Sequence, residues 1–166
     1  MNRFVCFTLI LCGALPAGII SSNDSQPLKI VPSVDLQRYA GDCYEIARYP
    51  NRSQKDCASD VRVRYGLHND GRISVRNECL KANGRSDVAN GTARITDAKN
   101  NGKLKVTFFW PFYGDYWIID LDPQYRHAVV GEPGRKYLWI LSRTKDMDDS
   151  SYQRILMRVA ENGYDT

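Results

Sequence analysis

The chain has 166 residues, 43% of them apolar and 25% charged, with a formal net charge of +4. That length suits one domain with a core of its own, and the composition is that of a globular protein rather than a disordered or fibrous one. The cations are scattered along the chain rather than gathered into a basic stripe, which excludes an obvious nucleic-acid partner.

The first element is a targeting segment. Arg3 precedes an apolar run from Phe4 to Leu15, Pro16, Ala17 and Gly18 follow, and a polar stretch begins at Ser21. The run is too short to span a membrane, so residues 1–22 read as a secretory signal cut between Ala17 and Ser22, followed by a linker over 23–33 and one domain over 34–166. Two other readings stand beside it: a lipoprotein signal at Cys12, preceded by Leu11 where such signals want a small residue, and an uncleaved anchor. Loss of the signal removes Cys6 and Cys12 and leaves Cys43, Cys57 and Cys79. In an oxidising compartment two of those three are expected to pair. The expected address is periplasm or outer membrane in a bacterium and extracellular otherwise.

Short strand-like segments then follow one another at 42–50, 58–68, 72–80, 87–97, 103–110, 115–121, 125–131 and 136–143. Val61, Val63, Tyr65 and Leu67 alternate with Arg62, Arg64 and Gly66. Ile73 and Val75 alternate with Arg72, Ser74 and Arg76, and Leu104, Val106 and Phe108 with Lys103, Lys105 and Thr107. Such alternation marks strands with one wet face. Asn69-Asp70-Gly71 and Asn100-Asn101-Gly102 supply hairpin turns. After the eighth segment the period changes. Asp148 or Asp149 can cap a helix carrying Tyr152, Ile155, Leu156 and Val159 on one face, with Gly163 just past its end.

Three of these segments carry a family resemblance. Gly41-Asp42-Cys43-Tyr44-Glu45-Ile46-Ala47-Arg48 resembles the first lipocalin signature, Gly114-Asp115-Tyr116-Trp117 the opening of the second, and Tyr137-Leu138-Trp139-Ile140-Leu141-Ser142-Arg143 the third. The chain from about 34 to 165 is similar to the bacterial outer-membrane and plant temperature-induced lipocalins, and more loosely to apolipoprotein D. The resemblance implies an all-β fold: an eight-stranded antiparallel up-and-down barrel with a C-terminal α-helix packed on its outside. It also implies that Gly41, position 43 and Arg143 form the closed end. Position 43 is a cysteine where the family has a tryptophan beneath that arginine. The closed end is therefore expected to be repacked, by Tyr39 or Tyr44, or to be weaker.

The hairpin at 69–71 brings Cys57 and Cys79 together on neighbouring strands, on the inward face if no bulge intervenes, which predicts a disulfide between them and leaves Cys43 as the odd thiol. The expected ligand-binding wall is Val61, Val63, Tyr65, Ile73, Val75, Leu104, Val106, Phe108, Tyr116, Trp139 and Leu141. The family implies that it encloses a cavity for a small hydrophobic ligand, a fatty acid or lysophospholipid first, serving transport, storage or membrane lipid maintenance. Membrane association and a monomer or weak dimer accompany that reading. His68 and His127 have no nucleophile beside them, Asp115, Asp120 and Asp122 form no placeable acid pair, and no spacing suggests a metal or cofactor site. The expectation is a non-enzyme, the alternative being a lipocalin-type enzyme that modifies or isomerises a bound lipid or pigment.

Overall fold

The computed structural model describes residues 26–166. The export signal assigned to residues 1–22 and the first residues of the linker lie outside the described residues. Eight strands follow in order: β1 (Gly41–Arg48), β2 (Cys57–Leu67), β3 (Ile73–Lys81), β4 (Ser86–Ile95), β5 (Lys103–Phe109), β6 (Phe112–Leu121), β7 (His127–Gly131) and β8 (Leu138–Ser142). Each pairs antiparallel with the next, and β8 returns to β1, so the sheet closes into a barrel. A short helix, α1 (Leu36–Tyr39), precedes β1, a 3-10 turn (Arg52–Gln54) lies between β1 and β2, and α2 (Asp149–Glu161) follows β8.

Alternation builds β2, β3 and β5 as expected. Tyr65 pairs with Val75 and Leu67 with Ile73, so their apolar side chains meet on one face, while the neighbouring pair Arg64 and Arg76 stays wet on the other. The turn at 68–72 closes with His68 N donating to Arg72 O at 2.8 Å. β7 and β8 read differently because both of their faces are dry. Ala128, Val130 and Leu141 pack in the lumen, whereas Val129, Leu138 and Ile140 pack outward against Ile155 and Val159 of α2. Asp148 caps that helix, accepting from Ser151 N at 2.9 Å, and Arg158 fastens it to Asp120 of β6 at 2.7 Å. Gly163 leaves the helix at φ +80°, in the left-handed region. Residues 28–31, read from the sequence as linker, lie along the wall. Leu28 joins the outer core, and Val31 N donates to Ile118 O at 3.0 Å.

The two ends of the barrel differ. At one end α1 closes the floor. Asn101 exchanges two bonds of 2.7 Å with the Val34 backbone, and Asp35 N donates to the Tyr125 hydroxyl at 2.8 Å. Arg143 ties this end together by donating to four backbone carbonyls, of Arg38 (2.7 Å), Tyr39 (2.9 Å), Asp42 (2.9 Å) and Tyr125 (3.3 Å). Gly41 sits beneath it at φ +102°, where a Cβ would stand 3.4 Å from Arg143 Nη1 and the backbone would be strained. No indole is needed in this arrangement. Buried Cys43 occupies the signature position, and Tyr39 fills the space beside it with its ring 5.2 Å from that of Tyr65. Tyr44 plays no part inside; its ring lies 5.7 Å from the Lys145 ammonium. Replacing Arg143 with Met is expected to lower stability by about 2–3 kcal/mol, because carbonyls lose charge-assisted donors. A shift in the urea midpoint without a change in m would show it, and an unchanged midpoint would refute it.

At the other end the Cys57–Cys79 disulfide joins the start of β2 to the end of β3, with Cα atoms 5.6 Å apart. Cys79 is buried, but β2 is irregular between Cys57 and Arg62, with Asp60 at φ 51°, and Cys57 is only half-buried at the rim. The bridge closes a loop with a sequence separation of 22. By chain entropy, its removal in a Cys57→Ser, Cys79→Ser variant should cost about 3 kcal/mol, measured as a lowered midpoint that matches reduced wild-type protein.

Candidate ligand-binding lumen

The floor of the lumen is a tyrosine cluster. The Tyr116 hydroxyl lies 2.8 Å from that of Tyr39 and 2.6 Å from that of Tyr65. Burial pushes all three phenols up from their ordinary value. Two hydrogen bonds among three hydroxyls use two protons, so one O–H has no acceptor in the cluster. The floor therefore offers a donor to a neutral oxygen and resists a charge.

The wall above it is apolar. Val63, Ile73, Val75, Leu104, Ile118 and Leu141 are buried in one inner cluster, with Val106, Phe108, Tyr116 and Trp139 packed against it. β4 contributes little bulk: its inward positions, paired with Ile73, Val75 and Asn77, are Ala93, Gly91 and Ala89. Ala93 is buried, but Ala89 and Asp87, farther toward the disulfide end, are exposed. β5 pairs with β4 only from Thr92 to Ile95, so the upper half of β4 has no partner on that side. The lumen is thus packed at the floor and opens to solvent at the mouth and along a notch between β4 and β5. Of the residues expected from the sequence to line it, Val63, Tyr65, Ile73, Val75, Val106, Phe108, Tyr116, Trp139 and Leu141 lie together on this inner face. Val61, beside the irregularity in β2, is half-buried and stands apart from the inner cluster.

The mouth carries a polar group that alternation alone does not reveal. β1 bulges at Ile46: Glu45 pairs with Leu141, yet Ala47 pairs with Ile140 and Arg48 with Trp139. Ile46 and Ala47 both pack against the outer core, which returns Arg48 to the side of Glu45. The Glu45 side chain, only 6% exposed, pairs with Arg48 Nη1 through one carboxylate oxygen and accepts from Gln54 Nε2 at 2.7 Å through the other. Gln54 Oε1 accepts from Trp139 Nε1 at 2.8 Å and from Asn51 Nδ2 at 2.9 Å, and Arg48 Nη2 donates to Gln54 O at 3.3 Å. The sequence signal for this group is a glutamate on the inward parity of Cys43, but Arg48 joins it only through the bulge.

Of the groups considered for catalysis, Asp122 and Asp120 are paired with arginines. Asp122 holds Arg126 through two bonds of 2.8 and 2.9 Å, which lowers its carboxyl below the ordinary range. Asp120 holds Arg158, and burial lowers the half-buried His127. Among the described residues no helix is long and apolar enough to cross a membrane.

A closed eight-stranded barrel with an apolar inner wall, a hydroxyl-lined floor, an open mouth and a helix on its flank defines a binding protein of the lipocalin type. Residues 34–166 match the lipocalin-like domain family, and the chain belongs to it. It is 39% identical over 151 residues to temperature-induced lipocalin-1 of Arabidopsis thaliana, covering 86% of this chain and 81% of that protein. It is 41% identical over 146 residues to outer membrane lipoprotein Blc of Escherichia coli (strain K12), covering 87% and 82%. Among solved structures, the cockroach allergen Per a 4 aligns with a TM-score of 0.64 at 18% identity, over 80% of this chain and 83% of that one, a likeness of fold.

The floor makes a pH prediction. A phenol whose ionisation is pushed up in the fold stabilises the fold below its unfolded value, near pH 10, and that contribution is lost as pH rises beyond it. Absorbance at 295 nm should show Tyr39, Tyr65 and Tyr116 silent through pH 10–11 until the barrel unfolds. Titration of all ten tyrosines near pH 10 in folded protein would contradict it.

Proposed function

We propose that the protein carries a single-chain amphiphile, a fatty acid or lysophospholipid, in its lumen outside the cytoplasm, without catalysing its conversion, in the service of membrane lipid maintenance. The observation that carries this reading is the gradient along the inner wall: buried side chains at the tyrosine floor, small or half-exposed ones at the mouth and notch. Burying about ten to fourteen methylenes at about 0.8 kcal/mol each gives roughly 8–11 kcal/mol gross. Association and ordering costs bring this to micromolar or sub-micromolar affinity, as suits a carrier that must release its load.

The rim supports loading from a membrane. Phe109, Trp110 and Phe112 form a hairpin tip with 80%, 82% and 77% of their surface exposed, beside the notch between β4 and β5. Soluble surfaces seldom leave three large aromatics together in water, and Trp and Phe suit the interfacial layer of a bilayer. The segments at this end carry Arg52, Lys55, Arg85, Arg135 and Lys136 against Asp56, Glu132 and Asp165, an excess of cations toward an anionic surface.

Native mass spectrometry of the purified protein, followed by lipid extraction, tests the cargo directly. Titration with a fluorescent fatty acid tests the site: Trp139→Ala should weaken binding at least about fivefold, since this indole forms part of the inner wall. Unchanged affinity would place the ligand elsewhere.

A further inference from the structure

We propose that the mouth of the lumen selects a zwitterionic headgroup, with the Arg48 guanidinium taking a phosphate and the Glu45 carboxylate taking the ammonium next to it. This rests on the carrier reading and names the headgroup class for that same lumen.

Charge balance is the first reason. Glu45 and Arg48 stand side by side on the inner face with side chains 6% and 25% exposed. The pair is neutral as a unit, so a simple anion approaching Arg48 also meets the carboxylate of Glu45 beside it, and like charges in a poorly solvated site repel strongly. A phosphate–ammonium dipole laid antiparallel to the pair gives each charge its complement. A lone carboxylate or a phosphate monoester satisfies one charge and opposes the other.

Displaceability is the second reason. Arg48 spends one nitrogen on Glu45 and one on the Gln54 carbonyl, so most of its N–H donors remain free. The second oxygen of Glu45 is held by the Gln54 amide, which rides on the 3-10 turn Arg52–Gln54 rather than on a strand. A neutral amide that donates to the carboxylate while its backbone carbonyl accepts from the guanidinium occupies the places of an ammonium and a phosphate oxygen. Lifting that turn exposes both charges without breaking the β1–β8 ladder.

The third reason is the aromatic surface beside the pair. Tyr137 stacks on Trp139 with ring centroids 5.9 Å apart and planes within 5°, and Tyr137 is 44% exposed. Trp139 is tied to the polar group through its bond to Gln54. A flat electron-rich face next to a carboxylate suits a quaternary ammonium. A fold in need of stability alone would gain as much from apolar residues at positions 45 and 48, because a buried ion pair does little better than well-packed hydrophobes.

The test is calorimetric titration below the critical micelle concentration with four oleoyl probes: lysophosphatidylcholine, lysophosphatidic acid, oleate and monoolein. Wild type should bind lysophosphatidylcholine about tenfold more tightly than lysophosphatidic acid or oleate. Glu45→Gln should erase that preference by strengthening the two anions and weakening the zwitterion. Arg48→Gln should weaken lysophosphatidylcholine about tenfold and leave monoolein unchanged. Equal affinity of wild type for all four probes, or a Glu45→Gln variant that keeps the wild-type ratio, would overturn the headgroup proposal while the carrier reading stood. Failure of every probe, monoolein included, would overturn both. The wild-type series decides without the variants, and far-UV circular dichroism reports whether each variant is folded.

Discussion

The return of β8 onto β1 is the constraint on which everything else depends. Tyr44 pairs with Ser142, Glu45 with Leu141, Ala47 with Ile140 and Arg48 with Trp139, and this ladder turns a sheet into a closed cylinder. Once the sheet is closed, every strand must choose a face for each side chain, and the inner face becomes a space of fixed size. A tyrosine cluster at one end and small β4 residues at the other then divide that space into a packed floor and an open mouth.

Irregularities in the ladder do more than accommodate closure. The bulge at Ile46 places two consecutive apolar residues under the outer helix and turns Arg48 inward beside Glu45. A similar slip between Ile118 and Asp120 lets Ile118 face the lumen, Ile119 pack outward beneath the helix, and Asp120 meet Arg158. The outer helix and the polar group at the mouth are thus linked to the same wall by one device, an extra residue that re-aims its neighbours.

The closed end shows how a family contact can be replaced. Four carbonyl acceptors satisfy Arg143, and the volume of an indole is shared between a cysteine and the ring of Tyr39. The arginine keeps its place because its planar set of donors reaches carbonyls on three segments at once, which an ammonium could not. At the opposite rim, Phe109, Trp110 and Phe112 stand exposed beside the notch. One end is closed by backbone hydrogen bonds to Arg143, and the other is open.

The strand count, the hairpin at 69–71, the outer helix and most of the inner wall are legible in the order of the residues alone, whereas the choice of Asp148 over Asp149 as cap is not. These follow from local rules: a period of two along a wet-faced strand, a period near four along a helix, and glycine where φ turns positive. Tertiary structure alone decided that Arg48 faces inward, that Val61 stands apart from the inner cluster, that residues 28–31 lie on the wall, and that Tyr39 rather than Tyr44 joins the floor. Each depends on a bulge or on a contact between segments distant in the chain. One slipped residue reverses every later parity in a strand, and no local pattern records where the slip occurs.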